Sequence, residues 1–407
     1  LMIFTQVFLT CTVTQTDYLN LTSEYQDYNY FVAPKALFNL LDKQLEYQSQ
    51  FIQTIEIPDA EFDALSFKFQ LFDIKFTNAD FSDTSGATFA NNLIFSVNQA
   101  DVKVIFQYKF TQQSYPYMSG SGQGLTFMKL NVQLDSFLKL STNCSYHFEF
   151  EKFAARLQMT DFQLQLPDAP AILQALTNVL TGIFRDIFNK MLEKQLGDLG
   201  NVFNENLFKL RTVTFVREEH ATDNRLIGFE MNKAVQFYTS GQLCKLDGDK
   251  CAGWQRNHVE LEQRPQKLFN RQLQFQISIN AIQSAFDHLK FMNMLSDKIT
   301  VMKIVNTGIL VMVENESFKA QVLCNLKVKA VPSGKNNDTT TQTYVQMVKL
   351  IQSSAKFDQI SYFNEVNPRL EEVAHSVYTF GYVDDSDVLV AYQSPSWIIA
   401  GMNVKED

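Results

Sequence analysis

One long helical pattern interrupts a chain that otherwise alternates like β-structure. It runs from Pro167 to Gly200, PDAPAILQALTNVLTGIFRDIFNKMLEKQLGDLG. Asp168 suits an N-cap and Pro170 a first turn, and Gly197 and Gly200 suit an end. Ile172, Leu173, Leu176, Val179, Leu180, Ile183, Phe184, Ile187, Phe188, Met191 and Leu192 recur at the i, i+3/i+4, i+7 spacing of one helix face. A helix this apolar, set between strands, must lie on a large apolar surface. It either closes a core against curved sheet or walls a slot for an apolar ligand.

The rest of the chain supplies that sheet. Phe67, Phe69 and Leu71 alternate with polar residues, and then the phase shifts to Phe72, Ile74 and Phe76. Leu93, Phe95 and Val97 alternate, and the phase shifts again at Ala100, Val102, Val104, Phe106, Tyr108 and Phe110. A one-residue phase change inside a long strand is the mark of a β-bulge. Met128 to Leu140 is the clearest strand, and Phe148 to Leu166 repeats the pattern. Long bulged antiparallel strands make a strongly twisted sheet or a barrel.

An amphipathic helix is expected over residues 34–54. Strands are expected at Arg211–Glu218 and Leu226–Tyr238, joined by a polar turn, HATDN, and residues 240–268 read as loop. A strand at Leu273–Ile279 leads into a helix at Asn280–Leu295. Strands follow at Val301–Val313 and Phe318–Val331, with an exposed loop over 332–342. A helix at Asn367–Phe380 takes Asn367 as its N-cap, and strands close the chain.

At 407 residues, 45% apolar and with 36 Phe, the chain has material for two modules. Its net charge of -9 argues against nucleic acid, whose phosphates require a basic face. The acid excess lies in residues 1–210, with 14 Lys+Arg against 22 Asp+Glu; the remainder has 21 against 22. No run of about 20 apolar residues is present to span a membrane as a helix. Residues 1–16, LMIFTQVFLTCTVTQT, read either as the remnant of a secretory signal or as a first strand. Sequons stand at Asn20, Asn143, Asn315 and Asn337 and permit a glycosylated, secreted chain.

Cys244 and Cys251 bracket a polar turn, KLDGDK, and suit a disulfide across a hairpin; with His258 they are also spaced like zinc ligands, a less economical reading. The five histidines are scattered and none has an i+4 partner. GSGQG, Gly120 to Gly124, is followed by a strand and not by a helix, so it is no phosphate loop and reads as a bend or bulge. Gly122 occupies the position a nucleophile elbow gives to serine. Nothing assembles a catalytic constellation. The reading is non-enzymatic, with no metal and no cofactor.

The order of these stretches resembles the bactericidal/permeability-increasing, lipopolysaccharide-binding and cholesteryl-ester-transfer protein family, with its tubular lipid-binding fold. The resemblance is carried by the first helix running into Ile57-Pro58-Asp59, by Asn91–Phe110, and by Met118–Thr142. It continues in the central helix with Phe188-Asn189-Lys190-Met191 and Asn204-Glu205-Asn206-Leu207. In the second half it rests on QFQISINAIQSAFDHLKF and on Trp397-Ile398-Ile399-Ala400-Gly401. It covers nearly the whole chain and is strongest over 34–210.

The resemblance implies an α+β fold: an elongated two-module boomerang, each module a twisted antiparallel β-barrel walled by long amphipathic helices, joined by a central sheet. The division expected is 1–30 as an N-terminal apolar segment, 31–209 as the lipid-binding barrel, 210–268 as central sheet and linker, and 269–407 as a shorter second barrel. It implies a groove for acyl chains, with Leu37, Leu40, Leu41, Ile183, Phe184, Ile187 and Phe188 as lining candidates by position. It implies a bound lipid such as phospholipid, an extracellular or secretory location, a peripheral membrane contact and, as an alternative use of the same fold, a scaffold with a protein partner. Three features depart from the family. The second module is short, with few strands between its helices. Cys144 stands where the family has a strand cysteine, but the helix offers Leu196 in place of its partner, and the acidic first half lacks the basic tip of endotoxin-binding members.

Overall fold

The computed structural model describes residues 15–16, 26–34, 36, 57–80, 84–89, 92–209, 212–217, 219–231, 234–247, 250–252, 259–265, 270–332, 339–379 and 383–404. Almost all of the helix expected over 34–54 therefore lies outside the described residues, as do Leu37, Leu40, Leu41, Asn20 and Asn337. Two compact units emerge: residues 38–138 with 150–203, and residues 1–37 with 139–149 and 204–407.

The first of these, the helix-backed unit, holds one sheet. Its order is β3 (Ala60–Ala64), β4 (Phe67–Asp80), β6 (Asn92–Gln112), β7 (Ser119–Leu140) and β8 (Phe148–Gln165), with β5 (Thr84–Phe89) also paired to β6. Both phase changes in the sequence are bulges. The β4–β6 register slips between Phe72 and Lys75 and between Phe76 and Asn78, and the β6–β7 register slips between Val97 and Ala100. The extra residues, Asp73 and Gln99, take positive φ (52 and 54), and the Gln99 N–H is caught by Asn131 Oδ1 at 2.9 Å. The inner face of the sheet is therefore apolar on both sides of each bulge.

A short helix, α1 (Ala171–Ala175), breaks at Leu176, and α2 (Thr177–Lys209) follows. Three details differ from the sequence expectation. Pro170, not Asp168, occupies the N-cap position of α1, with no side-chain cap bond. Gly197 and Gly200 do not end the helix, which runs through both to Lys209. A mid-helix glycine costs only about 1 kcal/mol, and Gly200 has a packing role, since a Cβ there would lie 2.6 Å from Phe153 Cβ. Third, Ile172 and Val179 face solvent at 39% and 49% exposure, so the buried stripe is narrower than the apolar count suggested and runs Leu173, Leu180, Phe184, Phe188, Leu192.

Among its described residues the other unit shows three sheets and two named helices that lie wholly within it. One sheet is ordered β11 (Leu226–Met231), β12 (Val235–Thr239), β2 (Tyr28–Val32), β15 (Leu273–Ser278), β22 (Trp397–Val404) and β21 (Val383–Ser394). The N-terminal strand β2 lies between β12 and β15, which ties residues 1–37 to the C-terminal half of the chain. That long-range pairing places residues 1–37 in one compact unit with 139–149 and 204–407. A second sheet runs β1 (Gln15–Thr16), β14 (Lys250–Ala252), β13 (Gln242–Asp247), β10 (His220–Asp223) and β9 (Val213–Arg217), with β1 parallel to β14. The polar HATD is thus a buried strand rather than a turn, and Gln242–Asp247 and Lys250–Ala252 are paired strands rather than loop.

The third sheet runs β16 (Lys298–Val305), β17 (Gly308–Glu314), β18 (Lys319–Pro332), β19 (Thr339–Ser353) and β20 (His375–Thr379). Residues 301–313, expected as one strand, are a hairpin turning at Asn306 and Thr307, just before Gly308. The Gly308 φ of +155 and the carbonyl of Cys324, 2.4 Å from a hypothetical Cβ, exclude a side chain. Helix α3 (Ile279–Phe291) is capped by Ser278, whose hydroxyl accepts from the N–H groups of Asn280 and Ala281. Helix α4 (Gln359–Glu372) starts nine residues before the expected site and is capped by Asp358. Asn367 sits inside it because its side chain grips β19: Met347 N donates to Oδ1 (2.8 Å) and Nδ2 donates to the Met347 carbonyl (3.1 Å).

Candidate functional site

The site candidate is the apolar interior between α2 and the sheet of the helix-backed unit. Its floor comes from β4 and β6, its far wall from β7 and β8. Phe184 and Phe188, one turn apart on α2, are both fully buried. Phe184 meets Phe62 edge-on (5.3 Å between centroids), Phe69 edge-on (5.8 Å) and Phe106 (5.8 Å); Phe188 meets Phe106 (5.7 Å) and Phe162 (6.0 Å). Such ring pairs add about 0.5–1.5 kcal/mol each beyond area burial. Four strand phenylalanines, Phe62, Phe69, Phe106 and Phe162, thus converge on one helix face.

Half-buried apolar side chains surround this aromatic centre: Phe62, Leu134 and Leu157 on the strands, Leu176, Ile183 and Met191 on the helix side. Ile187 is also half-buried. The four helix candidates therefore divide. Phe184 and Phe188 are the sealed centre, while Ile183 and Ile187 retain accessible apolar surface. Arg185 pins the helix by donating from Nη2 to the Met159 carbonyl of β8 at 2.6 Å. The hydroxyls of Thr177 and Thr181 turn back onto the carbonyls of Gln174 and Thr177, both at 2.7 Å, so they add no polarity to the interior.

GSGQG is neither a bend nor a bulge. It is a regular part of β7, with Gly120, Gly122 and Gly124 directly opposite Phe110, Tyr108 and Phe106. A Cβ on any of the three would lie 2.7, 2.7 or 2.2 Å from the facing aromatic side chain. The glycines are flat ground over which the rings lie. The signal was present as two matched period-2 rows, one glycine and one aromatic.

Outside this unit, Cys244 and Cys251 are joined by a disulfide with Cα atoms 5.5 Å apart, buried against Val213 and Ala221. Cys144 is also disulfide-bonded, and Cys324 is a buried free thiol. Asn143 and Asn315 are exposed; Asn315 Oδ1 accepts from the N–H and hydroxyl of Ser317, and its Nδ2 donates to Asp297. His258 lies outside the described residues.

Sequence reasoning missed one cluster. His220 on β10, His288 on α3 and His375 on β20 are all buried. His220 Nδ1 lies 2.9 Å from His288 Nε2, His375 Nε2 lies 3.2 Å from Ser284 Oγ, and Tyr28 stacks on His375 at 5.7 Å. Burial, and then the neighbouring His220 and His375, push the His288 pKa down to about 3. Positions this far apart in sequence carry no local signal. The cluster is buried, and within it His288 is held neutral at ordinary pH. Among the described residues no group of three His, Cys, Asp or Glu is arranged to hold a metal ion, and no helix is long and apolar enough to cross a membrane.

No protein-family model matches the chain, and no curated protein matches it in sequence. A solved structure does match its architecture. Lipopolysaccharide binding protein aligns over 93% of this chain and 99% of its own, with a TM-score of 0.53 at 13% identity. The chain shares that protein's fold. Takeout 1 of Epiphyas postvittana aligns over 43% of this chain and 92% of its own (12% identity, TM-score 0.32). P47 of Clostridium botulinum E1 aligns over 93% and 99% (10% identity, TM-score 0.23). At those scores neither adds to the assignment, and the likeness to the first speaks for the α+β fold alone.

Proposed function

We propose that the protein is a non-enzymatic lipid carrier that holds acyl chains against the apolar side of α2. The observation that carries this reading is the ring of half-buried apolar side chains, Leu134, Leu157, Ile183, Ile187 and Met191, around a sealed aromatic centre. Each CH₂ that such a surface takes from water contributes about 0.8 kcal/mol, so acyl chains need no sharp polar motif to be held. The fold likeness to a protein whose name states that it binds lipopolysaccharide supports the same reading. Leu37, Leu40 and Leu41 complete the proposed lining, within a lipid-binding barrel over 31–209. The two-module arrangement of the family belongs to the same proposal.

A secretory location is supported by the Cys244–Cys251 disulfide, since disulfides persist in oxidising compartments. Glycosylation is proposed at Asn143 and Asn315, with Asn20 and Asn337 as further acceptors. A peripheral membrane contact is supported at one end of the sheet. There Leu65, Tyr115 and Tyr117 are 58%, 84% and 70% exposed, on two turns joined by the bond from Gln113 N to the Ser66 carbonyl (2.7 Å). Tyrosine suits a membrane–water interface. The same patch favours the second reading, a scaffold that binds a protein partner there.

Native mass spectrometry with lipid identification, on protein from its own source, tests the proposal. Phospholipid or another acyl lipid at fixed stoichiometry is the expected result. A lipid-free chain that co-purifies with other proteins would move the assignment to the scaffold.

A further inference from the structure

Tyr108 leaves a polar atom unpaired in the aromatic interior. Tyr108 is fully buried, and its hydroxyl has no hydrogen-bond partner. Native cores pair the large majority of such groups, so an orphan calls for an explanation. Its neighbours along the strand, Phe106 and Phe110, show that a phenyl ring is what the row otherwise uses. Phenylalanine at 108 would fill the same space without the orphan.

The opposite strand makes room at the oxygen itself. A Cβ on Gly122 would lie 2.7 Å from Tyr108 Oη, so glycine there keeps the space beside the hydroxyl clear. Four residues further along β7, on the same inner face, the Thr126 hydroxyl is also buried and unpaired. Burial raises the Tyr108 pKa, and the negative charge of Asp168 adds to the rise. The group therefore stays protonated at neutral pH and offers a donor.

We propose that Tyr108 Oη is the polar anchor of the carried lipid, donating a hydrogen bond to the carbonyl oxygen of a neutral acyl ester. This rests on the lipid-carrying reading above. A carboxylate is the wrong partner for two reasons. Among the described residues no lysine or arginine of this unit is buried, so none of them would neutralise a buried anion. The field of Asp168 also opposes negative charge at that position. An ester carbonyl accepts the bond without carrying charge.

The test measures displacement of diphenylhexatriene, a hydrocarbon reporter, from the full chain by methyl oleate, by oleate and by 1-octadecene. Wild type, Tyr108→Phe and Asp168→Asn are compared. Wild type is expected to bind methyl oleate about fivefold more tightly than Tyr108→Phe does, the size of one net hydrogen bond. Octadecene should bind both equally, and Tyr108→Phe should melt at the same temperature or higher. Oleate should bind wild type more weakly than the ester does, with Asp168→Asn narrowing the gap. Equal affinity of wild type and Tyr108→Phe for methyl oleate overturns the anchor while leaving lipid carriage intact. Failure of both methyl oleate and octadecene to displace the reporter from wild type overturns lipid carriage and the anchor with it.

Discussion

Gly124 on β7 lies directly opposite Phe106 on β6, and a Cβ on that glycine would sit 2.2 Å from the Phe106 Cζ. The ring lies flat over the glycine backbone and from there reaches Phe184 and Phe188 of the helix. The sheet position and the helix position are therefore one packing unit.

Gly124→Ala forces the Phe106 ring off its place and, through it, the two helix phenylalanines. Overpacking of this kind costs about 1–3 kcal/mol. Urea unfolding should show the midpoint lowered with an unchanged slope. Full recovery in Gly124→Ala/Phe106→Leu, where the smaller side chain yields the space, would confirm the ring as the obstacle.

Phe184→Ala opens a cavity between the helix and three facing rings, Phe62, Phe69 and Phe106. Loss of a buried phenylalanine costs about 3–5 kcal/mol. Ile187→Ala, at a half-buried position, should cost far less stability and instead weaken retention of bound lipid, read by native mass spectrometry. Equal stability losses at the two positions would contradict the division into sealed centre and accessible rim.

His288 makes stability depend on pH. Its folded pKa of about 3 lies below the unfolded value of 6.5. Its contribution is therefore complete above pH 6.5 and is lost as pH falls from 6.5 toward 3, because the unfolded chain takes up the proton first. At about 1.4 kcal/mol per pH unit, acidification from 6.5 to 5 should cost about 2 kcal/mol. Denaturant titrations of wild type and His288→Gln across that range should show a shallower slope in the variant.

Asn367→Ala removes both hydrogen bonds to the Met347 peptide and leaves that buried strand position unserved. A loss of about 1–3 kcal/mol is expected. Hydrogen exchange should quicken at the Met347 amide and in α4 while β4 and β6 remain unchanged.

The bulges of β4 and β6 were legible because a phase change in an alternating strand is a local property. So were the disulfide-spaced cysteines of the β13–β14 hairpin. The end of α2 was not legible, since Gly197 and Gly200 are stop signals on any local rule, yet the helix runs through both, with Phe153 packed against Gly200. Asn367-Pro368 likewise reads as a helix start until β19 supplies Met347 as its partner. HATD reads as a turn by composition. It is a buried strand because β9 and β13 satisfy its backbone from both sides. Helical spacing put Ile183, Phe184, Ile187 and Phe188 on one apolar helix face, but which of them are fully buried was not legible.

By itself the sequence determined the local periods: alternating strands with their phase shifts, one long apolar helix, glycine and aromatic rows of matching spacing, and an acidic, phenylalanine-rich composition. These depend on neighbours within a few residues. The tertiary structure decided what depends on partners far along the chain. It chose which helix residues are sealed and which half-open, brought His220, His288 and His375 together in one polar core, joined the N-terminal strand to the C-terminal half, and left Tyr108 with a buried hydroxyl and no partner. Burial and hydrogen-bond satisfaction belong to the assembled chain, and no stretch of sequence carries them alone.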